Sequence, residues 1–189
     1  MAFKKGTDQT KIFIPHLNTK TATFTIKGTS PLIYHKWDEK AIEMILNKQL
    51  KKELKGRAER NPVADYESSF YLNGEGEVAF PANSLKQAIV DSARNLEGVT
   101  MSLLRGALFI IGDTDGLIPV MVDGKTVKLT ETIEEAVAEN VVGYEKTNPK
   151  VQMRRDMVRV GMGAADIRFR GQLKDWSMTL AIKYNADLL

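Results

Sequence analysis

The sequence predicts an α+β protein built on antiparallel strands, and three observations support this fold class. Apolar residues alternate with threonines over residues 21–26, which is the pattern of a half-buried strand. The run Asn73-Gly74-Glu75-Gly76 separates two short strand-like segments and predicts a hairpin, because Asn and Gly accept positive φ. Residues 38–56 and 84–96 instead place their apolar side chains at helical spacing.

The first 112 residues contain these elements in a regular order. We predict strands at 21–26, 68–72, 77–80 and 107–111, a helix at 38–56 after the cap Asp38, a polar connector at 57–66, and a helix that begins at the capping box Ser84-Leu85-Lys86-Gln87. This order is that of a ferredoxin-like (βαββαβ) antiparallel sheet with both helices on one face. The side chains expected to pack on that sheet are Ile42, Ile45, Leu46, Leu50, Leu85, Ala88, Ile89, Ala93 and Leu96.

The remaining residues divide into an arm and an extension. Residues 1–19 mix Gly, Thr, Asn, Pro and Lys and predict a flexible N-terminal arm, which leaves 20–112 as the ferredoxin-like core. Residues 113–189 predict a β-rich extension packed on this core, within a single domain overall. The extension is expected to contain a hairpin around Asp123-Gly124, a short helix at 132–141, and strands at 153–160, 167–170 and 176–184.

Composition excludes several classes of site. The 189 residues contain no cysteine and two histidines, which excludes disulfides, thiolate metal sites, cysteine nucleophiles and sites of several histidines. Walker A, dinucleotide-binding and zinc-protease motifs are also absent from the sequence. The aspartates Asp113, Asp115 and Asp123 fall on turns, which favour aspartate for backbone reasons. We therefore expect no catalytic residue, no metal and no cofactor.

Charge and hydropathy point to a cytoplasmic protein with an anionic partner. No stretch approaches the roughly 20 apolar residues of a membrane helix, and no secretory signal is evident, so we expect no membrane contact. The net charge is +3, with basic residues concentrated at both ends and acidic residues in the middle. This asymmetry suits an anionic ligand held by the ends, or a head-to-tail contact between copies of a homo-oligomer. A salt-bridged surface without a partner is the alternative.

The main candidate binding segment runs from residue 144 to residue 170. Arginine and lysine neutralise phosphates and aromatic rings stack on bases, so this mixture suits single-stranded DNA or RNA. The residues concerned are Tyr144, Lys146, Lys150, Arg154, Arg155, Arg159, Arg168, Phe169 and Arg170. The alternative is a solvated hairpin whose charge is neutralised in part by Asp156 and Asp166.

Two segments resemble the RAMP superfamily, the ferredoxin-like RNA-binding proteins that form the backbone of CRISPR effector complexes. Residues 80–89, FPANSLKQAI, are similar to its strand–Pro–Ser–Leu–Lys–helix signature, and residues 25–33, TIKGTSPLI, to its first strand and following loop. The overall pattern also resembles small bacteriophage proteins. The resemblance implies RNA binding, and in RNA-processing members it implies acid–base catalysis by a histidine near the first helix, here His35 beside Lys36.

Together these observations predict a non-enzymatic single-stranded nucleic-acid-binding protein that self-assembles. A phage recombination or replication accessory, working in the host cytoplasm, fits this description. The alternative is an interaction protein that inhibits or mimics a nucleic-acid-guided defence complex, or that sequesters a nucleotide signal. A metal-independent RNA endonuclease is the third hypothesis.

Overall fold

The chain forms antiparallel sheets with four described helices, as the α+β class predicts. The computed structural model describes residues 16–37, 39–52, 61–129, 150–160 and 163–189. The strands are β1 (Thr19–Lys27), β2 (Leu32–Ile33), β3 (Tyr71–Leu72), β4 (Val78–Pro81), β5 (Leu108–Ile111), β6 (Leu117–Pro119), β7 (Met121–Val122), β8 (Lys125–Thr126), β9 (Val151–Val160), β10 (Ala164–Leu173) and β11 (Trp176–Asn185). The helices are α1 (Glu39–Gln49), α2 (Pro62–Ser68), α3 (Ala82–Ser92) and α4 (Met101–Ala107).

The last strand, β11, lies at the centre of the largest sheet. It pairs with β1 along one edge, from Thr19 opposite Asn185 to Lys27 opposite Ser177. Its other edge pairs with β5 and β7, and β7 forms the predicted hairpin with β8. Apolar residues alternate along β11, and Met178 and Leu180 of this series are buried. The ten-residue strand β11 is therefore long enough to pair with several shorter strands at once.

The predicted ferredoxin-like order is not confirmed. That order would place β1 beside β4 and β5, whereas among the described residues β1 pairs with β11, and β4 pairs with β3 and β6. The physical reason is that the long β11 occupies the position next to β1. The predicted division at residue 112 stays a prediction, although β11 from the C-terminal part lies between β1 and β5. Residues 1–15 of the predicted arm and the predicted helix at 132–141 lie outside the described residues.

Two smaller sheets complete the fold and share one core. The β9–β10 hairpin is joined at its base by β2, and β3, β4 and β6 form the third sheet around the predicted turn at residues 73–76. Gly76 adopts φ 76° in that turn, which explains the need for glycine. The largest fully buried side chains are Tyr34, Phe70, Leu173, Met178, Val78, Val90 and Val120. Six of them lie in the main core, and Val90 lies in a second, smaller cluster with Ala93 and Leu104.

Helix α2 replaces residues 62–66 of the predicted polar connector and the start of the predicted strand at 68–72. The Asn61 side chain accepts hydrogen bonds from the amides of Val63 (3.0 Å) and Ala64 (3.3 Å), and Pro62 occupies the first turn. An Asn cap followed by proline is a helix start signal. The helix buries Tyr66 against Phe70, with ring centroids 5.1 Å apart. A segment of mostly polar residues is thus held to the core by one buried aromatic side chain.

The two predicted amphipathic helices have different outcomes. Helix α3 packs on β5 and α4. Of the predicted stripe, Leu85, Ile89 and Ala93 are buried or half-buried. The prediction is wrong for Ala88 and Leu96, which are exposed. The prediction that α1 packs on the sheet is wrong, because Ile42, Ile45 and Leu46 are all exposed within the described part of the chain. The periodicity correctly indicates a helix with an apolar face, but it does not say what covers that face.

Candidate nucleic-acid interface

The β9–β10 hairpin divides the predicted basic residues between its two faces. Residues directly opposite each other in an antiparallel pair share a face. Arg154 is opposite Arg170, and Arg168 is opposite Asp156, so these four side chains lie on one face. The other face carries Arg155 opposite Phe169, Met157 opposite Ile167, and Arg159 opposite Ala165. The predicted segment is therefore two surfaces rather than one basic strip.

On the first face, Asp156 holds two of the arginines. Arg154 Nε donates to Asp156 Oδ1 at 2.6 Å, and Arg170 Nη1 donates to Asp156 Oδ2 at 3.3 Å. Arg154 Nη1 also donates to Gln172 Oε1 at 3.2 Å. Two like charges directly opposite each other would destabilise the hairpin, and the carboxylate between them offsets this repulsion. Part of the predicted basic charge is thus already neutralised within the protein.

Arg168 points toward a different neighbour. Its Nη1 atom lies 3.4 Å from His35 Nε2, in a groove that runs along the edge of β10. The groove has a volume of about 370 Å³, and consecutive residues of β10 line it. The cationic and aromatic side chains on its walls are His35, Lys36, Trp37, Arg168, Phe169 and Arg170. The structure thereby brings three of the predicted residues together with a segment more than 130 positions earlier in the chain.

Backbone hydrogen bonds fix the 35–37 segment beside β10. The Tyr34 amide donates to the Gly171 carbonyl at 2.8 Å, and the Lys36 amide donates to the Ser69 carbonyl at 3.0 Å. The Tyr34 ring is buried, with its centroid 4.9 Å from that of Phe70. The buried Tyr34 ring and the anchored amides of Tyr34 and Lys36 together hold the side chains of residues 35–37 in the groove.

Glycine at position 171 makes this close approach possible. A Cβ atom there would lie 2.0 Å from the Phe70 ring, well inside van der Waals contact. The Gly171 amide donates to Ser69 Oγ at 2.8 Å, so the residue after α2 is also attached to β10. Helix α2 consequently forms the second wall of the groove, where Asp65 and Ser68 line it.

The groove combines the two chemistries that single strands require. Lys36 and Arg168 supply positive charge, and Arg170 adds a guanidinium that is paired with Asp156. Asp65 is the one carboxylate among the described residues of the groove walls. Trp37 is 58% exposed, which is unusual for a tryptophan and leaves much of the side chain open to a ligand. Phe169 is half-buried and packs against the main core, so its position is fixed. Cations bind phosphates, and exposed aromatic rings stack on bases.

The other predicted residues lie elsewhere or outside the described part of the chain. Lys150 Nζ donates to Asp123 and lies 3.4 Å from Asp175 Oδ2, so it links the base of the hairpin to two turns. The hydrogen bond to Asp123 raises the pKa of Lys150 above its ordinary value. Arg155 and Arg159 are exposed on the second face of the hairpin. The predicted binding residues Tyr144 and Lys146 fall outside the described residues.

The turn aspartates Asp113 and Asp123 accept hydrogen bonds from within the protein. Asp113 Oδ1 accepts hydrogen bonds from the amides of Asp115 at 2.9 Å and Leu117 at 2.8 Å. Asp123 accepts from Lys150. Across residues 16–37, 39–52, 61–129, 150–160 and 163–189, no three carboxylate or histidine side chains gather in a group that could hold a metal ion.

Sequence reasoning considered His35 and Lys36 but missed Trp37. The signal available was an aromatic residue directly after two basic ones in a short loop, which is a poor place to bury a tryptophan. His35 contacts Arg168, a cation, at its Nε2 atom. An arginine beside the ring cannot act as the carboxylate that orients a catalytic histidine.

Comparison with known protein families, curated proteins and solved structures finds no match to this chain. Every helix in the described ranges is too short or too polar to cross a membrane.

Proposed function

We propose that the protein binds single-stranded DNA or RNA in the groove between residues 35–37, α2 and β10, without catalysing a reaction on it. The observation that carries the proposal is the convergence of an exposed tryptophan with lysine and arginine side chains in one fixed groove. A single strand offers phosphates to the cationic side chains of the groove and unpaired bases to its aromatic side chains. A duplex hides its base faces and uses only the cations.

The path of the strand follows from the neighbouring surface. Lys36 and Trp37 also line a second groove, of about 540 Å³, whose other walls include the carboxylates Glu39 and Glu67. Phosphates are therefore favoured in the first groove and not in the second. Trp37 therefore borders both depressions and is the natural site for a stacked base. The Asp156-bound arginines, Arg154 and Arg170, reach the strand when a phosphate competes with the carboxylate.

The biological role follows as part of the same proposal. The protein acts in the cytoplasm as an accessory of phage recombination or replication, and it self-assembles on the strand. Such a role requires single-strand binding that does not depend on sequence. The distribution of charge along the chain supports head-to-tail assembly. We extend the proposal to kinship with the RAMP superfamily, whose strand–Pro–Ser–Leu–Lys–helix signature residues 80–89 resemble. In this chain β4 runs through Pro81 directly into α3.

The experiment compares two groove variants with a matched control. Fluorescence anisotropy measures binding of labelled oligothymidylate and oligouridylate over a series of salt concentrations. Arg168→Gln should weaken binding to both and reduce the magnitude of the salt slope by about 0.7. Trp37→Ala should cost roughly 1–3 kcal/mol with little change in salt slope, because stacking releases few ions.

The control is Arg94→Gln. Arg94 is exposed near the end of α3, pairs with Asp91 at 3.8 Å, and does not line the groove. Its removal changes the net charge equally and should leave the affinity unchanged. Equal effects of Arg168→Gln and Arg94→Gln would reject the groove as the binding site. Cleavage of the oligouridylate without metal, abolished in His35→Ala, would instead establish the endonuclease.

A further inference from the structure

Strand β1 presents an open edge. Among the described residues, its strand partner is β11, on one side only. Two hydrogen bonds at its ends show which backbone groups face outward: Gly28 N donates to Trp176 O at 2.8 Å, and Ala186 N donates to Asn18 O at 2.7 Å. Hydrogen-bonded residues alternate in an antiparallel pair, so the even-numbered residues bond β11. The odd-numbered residues direct their N–H and C=O groups away from it, and these are Thr19, Thr21, Thr23, Thr25 and Lys27.

The edge has few of the features that normally prevent strand pairing. Proteins protect edges with proline, bulges, inward charges or lysines along the edge. The β1 strand has no proline, its register against β11 is continuous over nine residues, and its two lysines lie at positions 20 and 27. Phe24 is opposite the buried Leu180 and yet 53% exposed, because in the described part of the chain no strand lies beyond β1.

We propose that this edge pairs with β1 of a second copy of the chain, antiparallel and around a two-fold axis at Thr23. The register centred on Thr23 is the one that pairs all nine residues of the strand. Thr23 then faces its own equivalent, and Thr21 faces Thr25 of the second copy. An interface of this kind is isologous and closed. It is distinct from the head-to-tail contact that the charge distribution predicts, and it does not depend on nucleic-acid binding.

The charge and size of the side chains fit a second copy. Lys20 faces Ile26 and Lys27 faces Thr19 of the second copy, so no lysine meets a lysine. Phe24 faces Ala22, which places a large ring beside a small residue and covers its exposed side. The outward backbone groups of the odd residues form about ten hydrogen bonds. Threonine pairs across strands add to the stability of the contact.

The test uses the absence of cysteine from the chain. In a hydrogen-bonded antiparallel pair the Cα atoms lie about 5.5 Å apart, within the range that a disulfide bridges. Thr23→Cys should therefore form a disulfide-linked dimer under mild oxidation, measured on non-reducing gels. Thr25→Cys is the matched control, since its equivalent lies about 14 Å away along the strand. Cross-linking of Thr23→Cys should be faster by a factor on the order of 10.

The register has its own check. An equimolar mixture of Thr21→Cys and Thr25→Cys should give the mixed dimer, whereas neither variant alone should. Equal cross-linking rates of Thr23→Cys and Thr25→Cys would indicate random collision and overturn the proposal.

A second variant tests the contact without oxidation. Thr23→Lys places two like charges at the two-fold axis and should prevent dimerisation. The backbone of residue 23 does not bond β11, so the variant should remain folded. In light scattering the variant should be a monomer, while the parent is a dimer. A monomeric parent, or a Thr23→Lys variant that remains dimeric, would overturn the proposal.

Discussion

Replacing Asp156 by Asn tests whether Arg154 and Arg170 bind nucleic acid or only form salt bridges that stabilise the hairpin. In the free protein this carboxylate accepts from Arg154 and Arg170, which stand directly opposite each other on β9 and β10. Asparagine keeps the size of the side chain and one acceptor oxygen, but it removes the charge. The two guanidinium groups are then left without their shared counter-ion, and an external phosphate no longer has to compete with a carboxylate.

The expected magnitudes follow from the geometry. A hydrogen bond to a charged group contributes about 1.5–3 kcal/mol when buried, and Arg154 is too exposed, at 43%, for the full value. We therefore expect Asp156→Asn to lower the free energy of unfolding by about 1–2 kcal/mol. For a chain of this length that lowers Tm by roughly 2–8 °C. Nucleic-acid affinity at low salt should rise, and the salt slope should steepen by about 0.7 for each additional phosphate that the two arginines neutralise.

The assay pairs thermal unfolding with anisotropy titrations, and Asp91→Asn is the control. Asp91 is also paired with an arginine and carries the same charge, but it lies on α3 away from the groove. A saturating oligonucleotide should restore more of the lost Tm in Asp156→Asn than in the control, because ligand binding stabilises the folded state. If Asp156→Asn lowers Tm and leaves affinity and salt slope at the parental values, Arg154 and Arg170 are structural, and the reasoning is refuted.

Three further changes test the fold and its charges. The hydrogen bond from Thr126 is the main cause of the lowered pKa of Glu77. The ionised Glu77 carboxylate therefore stabilises the fold above pH 4.5, and this contribution is lost as the pH falls through the lower pKa of the folded state. Glu77→Gln should remove this part of the acid dependence of Tm. The raised pKa of Lys150 gives a contribution that is complete below pH 10.5 and lost at higher pH, so the Tm difference between the parent and Lys150→Met should shrink on alkaline titration. Gly171→Ala should destabilise by roughly 1–3 kcal/mol in urea unfolding, because the added methyl overlaps Phe70; unchanged stability would show that β10 can shift without cost.

Local elements were predictable because their signals are local. Alternation identified β1 and β11, and Asn-Gly and Asp-Gly pairs identified two hairpins. The partner of β1 was not predictable in this way, because β11 lies more than 150 positions later and pairing depends on which strands compete for an edge. The ferredoxin-like order assumed that β1 pairs with strands from the first 112 residues, whereas β11, from the C-terminal part of the chain, occupies that position.

The site was predictable in part for a similar reason. The basic and aromatic composition of the Arg168–Arg170 stretch was visible, but its meeting with Trp37 depends on Tyr34 and Gly171 bonding across two distant segments. Helix α2, the second wall, was missed because a polar sequence hid the start signal at Asn61 and Pro62. Sequence patterns indicate what each segment can form, whereas the groove depends on which segments touch.

Photochemical cross-linking tests the central claim most directly. A short oligothymidylate is bound to the full chain, irradiated, and the attached peptides are identified by mass spectrometry. The groove account predicts attachment at Trp37, with Phe169 as the second site, and loss of the attachment when unlabelled strand competes. Efficient attachment only at residues outside 35–37 and 168–170 would contradict it.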